Sequence, residues 1–163
     1  HSSIYDIPLS FKAFPEYSIR MLAKKELSRI PIFGKAMSAA DFPFIDRKNR
    51  FQAIKDLEHV QELMESGIII WIAPEGTRSK TGKLIPFKKG AFVTAIQAQA
   101  TIIPIGIRGA FDIIPAHTFQ INLQQKAEIH IGAPIDASQF TMDNKEDLLA
   151  KTFNVIKKLS GEE

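Results

Sequence analysis

Cysteine is missing from all 163 residues of the chain. That excludes disulfides, thiolate metal sites and a cysteine nucleophile, and it fits a reducing compartment. Long apolar runs are missing too. A bilayer-spanning helix needs about 20 apolar residues, whereas the longest clear run, Ile68 to Ala73, has the length of a strand. No stretch of the sequence reads as a signal peptide, and no Gly/Ser linker, internal repeat or Gly-rich nucleotide loop is seen. Charge of one sign is scarce: 21 Lys and Arg against 18 Asp and Glu leave a net charge of +3. So mild a bias gives no argument for nucleic acid. It suits an anionic substrate, an anionic membrane surface or a plain solvated surface.

What is present is ordinary globular chemistry, 45% hydrophobic and 24% charged. The length fits one domain, residues 1–163. A domain of this size buries roughly 70% of its unfolded surface and can fold without a disulfide or metal. The chain opens on His1 with no methionine, which reads as a domain cut from a longer protein.

Short apolar runs alternate with helical stretches, the pattern of an α/β fold. Tyr17 to Lys24 reads as a strand, Pro31 to Ala40 as a short helix, and Phe42 to Asp46 as a short apolar run. Phe51 to Ser66 has Ile54, Leu57, Val60 and Met64 at helical spacing, and Gly67 stops it. Ile68 to Ala73 reads as a strand buried on both faces. Lys89 to Ala100 reads as a helix, Thr101 to Ile107 as a second buried strand, and Ala127 to Ile131 as a later strand. Asp147 to Leu159 is an amphipathic closing helix. The expectation is a mixed, mostly parallel central sheet flanked by helices. In such sheets ligands sit beyond the carboxyl ends of the strands. Asp46 to Arg50 and Glu75 to Ser79 each follow a strand-like run, which places them at one edge.

Three groups of residues carry possible chemistry. His1 and Asp6 are five apart. In one helix their side chains would point about 140° apart, so they meet only across a turn, with Asp6 in the first turn of a helix. An aspartate that orients an imidazole makes it a general base. Ser3 and Asp6 also read as a capping box, and both readings can hold. Ala73 to Ser79 offers an acid, a glycine, two hydroxyls and Arg78. Arg78 can grip a phosphate by two parallel hydrogen bonds, with Thr77 and neighbouring amides forming an anion-binding concavity. An ordinary strand-to-helix loop remains the alternative. Phe44 to Arg50 is a second basic loop, where Arg47 and Arg50 could hold the same phosphate. Solvated charges at a helix start would explain it too, but cations sit badly there, which points to an anion nearby. His59, His117 and His130 stand at no metal-ligand spacing and read as surface or structural residues.

These segments together resemble the 1-acyl-glycerol-3-phosphate acyltransferases. His1-Ser2-Ser3-Ile4-Tyr5-Asp6 is similar to that family's first motif, histidine, four residues, aspartate. Ala23 to Leu27 with Ile30 to Gly34 is similar to the stretch that follows. Phe44 to Arg47 with Arg50 is similar to the second motif, and Pro74 to Ser79 with Pro86 to Gly90 to the third. Ile102 to Ile105 is similar to the fourth, and the order is the family's from His1 to about Asp136.

The resemblance implies a glycerolipid acyltransferase-like fold. It implies transfer of an acyl chain from acyl-CoA or acyl carrier protein to the hydroxyl of lysophosphatidic acid, giving phosphatidic acid without an acyl-enzyme. His1 would be the general base and Asp6 would hold its tautomer. Arg47 and Arg78, with Lys24, would bind the phosphate. Glu75, Gly76 and Thr77 would shape the acceptor site, and Pro104 would line the donor side. No cofactor or metal is expected, because a thioester is already activated. An oxyanion hole is expected from amides near Gly76. The apolar strand and the membrane helices expected ahead of the first motif are not in the sequence. They would carry membrane association, at the cytoplasmic face of the cell membrane. Leu9, Phe11 and Phe14 around Lys12, and Phe111, Ile113, Ile114 and Phe119, are candidate bilayer contacts, with core packing as the alternative. An α-amino group beside the imidazole would disfavour its protonated form, so this fragment alone is expected to be poorly active. Three rival readings stand: an acyltransferase for another lyso-lipid, a non-catalytic phospholipid-headgroup binder, and a serine hydrolase using Ser2, Ser3 or Ser79. The last lacks the G-x-S-x-G elbow.

Overall fold

The computed structural model describes residues 1–116, 118 and 120–162; His117 and Phe119 lie outside them. The chain begins with helix α1 (Asp6–Ala13) and passes through strands β1 (Ile19–Met21) and β2 (Ala23–Lys24). A 3₁₀ turn (Lys25–Arg29) leads to α2 (Phe33–Ala39), β3 (Phe44–Ile45), α3 (Arg50–Glu65) and β4 (Ile69–Trp71). Then follow α4 (Gly90–Gln97), β5 (Thr101–Ile102), β6 (Ile105–Arg108), α5 (Ala110–Ile113), β7 (Glu128–Ile131), β8 (Ile135–Asp136) and α6 (Lys145–Leu159).

The expected α/β alternation is present, and each strand read from sequence is found, most of them shortened and Thr101 to Ile107 broken in two with its second part reaching Arg108. Two of the strands are split by a change of partner. Ile19–Met21 runs parallel to β4, with Ile19 opposite Ile69. At Leu22 the chain donates to the Trp71 carbonyl, and at Ala23 to that of Pro43, so β2 passes on to pair with β3. The second split is at Pro104, which has no N–H to continue a ladder. Before it β5 pairs with β8, and after it β6 pairs with β7.

Half of the pairings are antiparallel, more than the sequence pattern led us to expect. Parallel strands need a crossover of a dozen or more residues, usually a helix. Among the described residues the one helix between β6 and β8 is α5, a single turn, so β7 and β8 return antiparallel. Strand β4 also differs from expectation. Ile69 is 46% exposed, because the strand starts at the rim of its pair and an open cavity adjoins it.

Local chemistry explains the helix ends. Asn49 caps α3 by accepting from the amides of Phe51 and Gln52 at 3.1 and 3.2 Å. Gly67, with φ of 89°, turns the chain out of it. Helix α6 lies so close to β6 that a Cβ on Gly106 would stand 2.4 Å from the Leu159 carbonyl carbon.

The core gathers Phe87, Phe92, Ala95, Ile96, Ile135, Ala137 and Leu148 between α4, α6 and the β5–β8 pair. Phe153 meets Phe87 edge-on at 5.0 Å. Beside this core, a cavity of about 550 Å³ runs between β4 on one side and β5 and β6 on the other, with His1 and Asp6 on its wall. No helix is long and apolar enough to cross a membrane among the described residues. Leu148 is fully buried, so Leu148→Ala should cost about 2–5 kcal/mol, measured as a fall in the urea midpoint at unchanged slope.

Candidate active site

Residues 1–3 run extended into a turn at Ile4 and Tyr5, and α1 opens on Asp6. That turn brings together two residues that one helix would hold apart. His1 Nδ1 lies 2.7 Å from Asp6 Oδ2. The same oxygen accepts from the amides of Ser2 at 3.0 Å and Ser3 at 3.2 Å. Capping is therefore half realised. Asp6 reaches back to Ser3 as the acid of a capping box does, but Ser3 Oγ accepts from Tyr5 and donates to the Ile114 carbonyl. Both functions of Asp6 coexist.

His1 is gripped on every side but one. Its carbonyl accepts from the Ser79 amide at 2.9 Å. Its main-chain nitrogen, an α-amino group in this chain, lies 2.5 Å from Glu75 Oε2. The positive charge expected to disturb the imidazole thus faces a carboxylate. The ring meets Trp71 edge-on at 5.8 Å. Nε2 has no hydrogen-bond partner among the described residues, and the ring lines the cavity.

Glu75 is 2% exposed, and its second oxygen accepts from Ile85 N at 3.3 Å. Both of its oxygens are held by the protein. Gly76 has φ of 72°, a conformation that favours glycine. Its N–H donates to the Ala73 carbonyl at 3.0 Å, so among the amides near Gly76 its own is not free for an oxyanion. The amides of Thr77 and Arg78 carry no hydrogen bond among the described residues. Thr77 is exposed and Arg78 half-buried. The Arg47 guanidinium donates to the Gly76 carbonyl, which joins the loop after β3 to the loop after β4. Lys24 is exposed beside that loop, paired in the β2–β3 ladder with Ile45. Pro104 is buried in the far wall of the cavity.

Burial pushes the Asp6 carboxyl above its ordinary range. The α-amino charge, the Ser3 and Ser2 amides and the Arg78 charge pull it back. Burial likewise raises Glu75, against the α-amino charge and the hydrogen bonds from His1 and Ile85, while the Asp6 charge raises it further.

Sequence reasoning missed three parts of this arrangement: the Ser79 amide as a support, Trp71 as the ring's neighbour and Glu75 as a tie to His1. The single tryptophan, two residues before the Ala73-Pro74 loop, was the available signal. The serine hydrolase reading loses two candidates. Ser3 and Ser79 are 0% and 2% exposed, and the Ser3 hydroxyl is already engaged on both sides. His59 and His130 pair with Glu62 and Glu128 on exposed surface. No three His, Asp or Glu side chains are grouped to hold a metal among the described residues. Ile113 is buried, so one candidate bilayer stretch is partly core.

The site thus sets a His–Asp pair near two linked basic loops, and comparison with known proteins gives the class, an acyltransferase. The family described as Acyltransferase matches residues 1–108. The 1-acyl-sn-glycerol-3-phosphate acyltransferase of Haemophilus influenzae is 33% identical over 99% of this chain and 66% of that protein. An uncharacterized acyltransferase of Schizosaccharomyces pombe is 38% identical over 93% of this chain and 55% of its own length. The crystal structure of PlsC, the 1-acyl-sn-glycerophosphate acyltransferase from Thermotoga maritima, matches with a TM-score of 0.78 at 28% identity. It covers 99% of this chain and 62% of that one. The chain belongs to the acyltransferase family, with relatives named 1-acyl-sn-glycerol-3-phosphate acyltransferases. It spans between half and two thirds of the length of these relatives.

The raised carboxyls set a pH dependence. A carboxyl whose pKa folding raises contributes stability that is complete below its ordinary value, 3.8 for Asp6 and 4.5 for Glu75. That contribution is lost as pH climbs through the raised value. The urea midpoint should therefore fall as pH rises from about 4 through the raised values. Glu75→Gln keeps one acceptor and removes one titration, so its pH slope should be shallower than that of the parent chain. An equal slope in the two would show that Glu75 carries no burial penalty.

Proposed function

We propose that the chain transfers an acyl group from acyl-CoA or acyl carrier protein to the free hydroxyl of 1-acyl-glycerol-3-phosphate, giving phosphatidic acid. The contact between His1 Nδ1 and Asp6 Oδ2, with Nε2 unpaired on the cavity wall, carries this reading. A proton held on Nδ1 by Asp6 leaves Nε2 with its lone pair. Nε2 takes the hydroxyl proton as the oxygen bonds to the thioester carbonyl carbon. The C–S bond then breaks, and the thiolate leaves with the proton that His1 has taken. No acyl-enzyme forms. The step as written needs no metal or cofactor, since the thioester is already activated.

Arg47 and Arg78 bind the acceptor phosphate, with Lys24 at its edge. The support is the Arg47 contact with the Gly76 carbonyl, two residues before Arg78, and the amides of Thr77 and Arg78, unpaired among the described residues. Gly76 and Thr77 shape the acceptor site, and Glu75 supports it from within. Pro104 joins the set on resemblance, its ring on the cavity wall. The acceptor is taken from the names of the relatives, and it brings the protein to a membrane surface, in the cell at the cytoplasmic face.

The test is thiol release from acyl-CoA, then from acyl carrier protein, with and without lysophosphatidic acid. Release should require the acceptor. His1→Ala should lower the rate by about 10²–10⁴, and Asp6→Asn, which presents the wrong tautomer, by up to about 10⁴. Arg78→Ala should raise the acceptor KM more than it lowers kcat. Acceptor-independent release would fit a hydrolase, and saturable lipid binding without release would fit a headgroup binder.

A further inference from the structure

Exposed apolar side chains are costly on a soluble surface only where they cluster, and one lobe of this chain clusters them with charge. Ile32 is 84% exposed, Phe51 83%, Phe33 52%, Ile54 50% and Ile30 43%. All lie between residues 24 and 56, where eight Lys and Arg stand against four Asp and Glu. The rest of the chain carries 13 against 14, so the whole net positive charge belongs to this lobe.

The lobe is one piece. Strands β2 and β3 pair within it. Lys25 lies 3.4 Å from Asp46, and Lys48 lies 3.3 Å from Glu26, tying the turn before Ile30 to the loop before Phe51. Ile32 has φ of 66°. A β-branched residue in that region is strained, and such strain clusters at functional positions. Here it holds out the most exposed large apolar residue of the lobe.

We propose that this lobe docks on an anionic lipid bilayer, with Ile30, Ile32, Phe33 and Phe51 entering the interface and the surrounding cations on lipid phosphates. Apolar side chains beside Lys and Arg are the chemistry of interfacial binding, and juxtamembrane cations are attracted by anionic leaflets. Charge separates this face from its nearest rival. Helix α1 and the turn before it also show Ile4, Ile7 and Phe11 at 54%, 36% and 39% exposure. Residues 4–16 hold one cation, Lys12, against Asp6 and Glu16. Arg47 lies in the docking lobe and reaches the Gly76 carbonyl, so docking sets the phosphate loops close to the lipid surface. The inference rests on the proposed lipid acceptor for its purpose.

The experiment is co-sedimentation with vesicles of phosphatidylcholine, with and without phosphatidylglycerol, in the absence of any acceptor. The chain should partition onto the anionic vesicles and be released by high salt. The triple variant Ile32→Ser, Phe33→Ser, Phe51→Ser should bind at least about tenfold less. Lys35→Glu with Lys55→Glu should weaken binding to the anionic vesicles alone, and gives a second variant if the first fails to fold. Ile7→Ser with Phe11→Ser should bind as the parent does. Binding unchanged in both lobe variants, or lost in the α1 variant instead, would overturn the proposal. So would a dimer in solution that the triple variant abolishes. Acylation of a detergent-dispersed acceptor should survive in the triple variant. Its absence from the parent chain would sink the acyltransfer reading and leave the vesicle result standing.

Discussion

A carboxylate withdrawn from water must have its charge answered by donors, and the architecture around Asp6 follows from that requirement. Asp6 is fully buried, in the first turn of α1, where the helix dipole favours a negative charge. One oxygen takes three contacts, from His1 Nδ1 and the amides of Ser2 and Ser3. Those contacts fix the path of residues 1–3, which fixes the His1 ring. The ring's main-chain atoms are then tied to Glu75 and Ser79, on the loop after β4. A base that must wait in one orientation is held through its backbone as well as through its imidazole. The cost is two carboxyls raised by burial within one small region, a pattern common where chemistry is done.

The phosphate side obeys the complementary rule. Loops after β3 and β4 reach the same edge because both strands end there, and Arg47 joins them by donating to Gly76. Helix α3 opens on Arg50 with no acid in its first turn. Like charge at a helix N-terminus is unfavourable, and Asn49 satisfies only part of that end. A bound anion would answer the guanidiniums, the helix end and the free amides of Thr77 and Arg78 together. Lysine could not replace Arg47 without loss, since it lacks the planar fork that can hold a carbonyl and a phosphate oxygen at once.

How much of this the sequence disclosed depends on the range of the interactions. Helices α3 and α6 were legible because their apolar spacing and stop signals are local. The His1–Asp6 pair was legible as a spacing that demanded a turn, and the turn at Ile4 and Tyr5 is there. The partner changes at Leu22 and Pro104 were not legible. They depend on which strand lies alongside, and β8, two residues long, has no periodicity to read. The two antiparallel pairs were not legible for the same reason. Glu75 was assigned to the acceptor site by resemblance alone; its tie to His1 spans 74 residues, which no local pattern shows, and its burial holds both oxygens inward.

The cavity beside His1 shows how far geometry can go in choosing an occupant. Along a strand, alternate side chains face opposite sides, so a pocket over a sheet face is lined by every second residue. Here every residue from Ile69 to Glu75 lines one wall, and every residue from Thr101 to Ile107 lines the other. Consecutive lining means that strand edges, not faces, border the space. Among the described residues β4 pairs only with β1 and β6 only with β7, so each has a second edge with backbone donors and acceptors to satisfy. Leaving one such group buried and unpaired costs about 1–3 kcal/mol. An acyl chain filling the inner part would exclude water and offer no hydrogen bond, while an extended peptide segment would satisfy both edges. Bare strand edges on two walls therefore constrain any occupant, since an acyl chain lying along them would leave their backbone groups without partners.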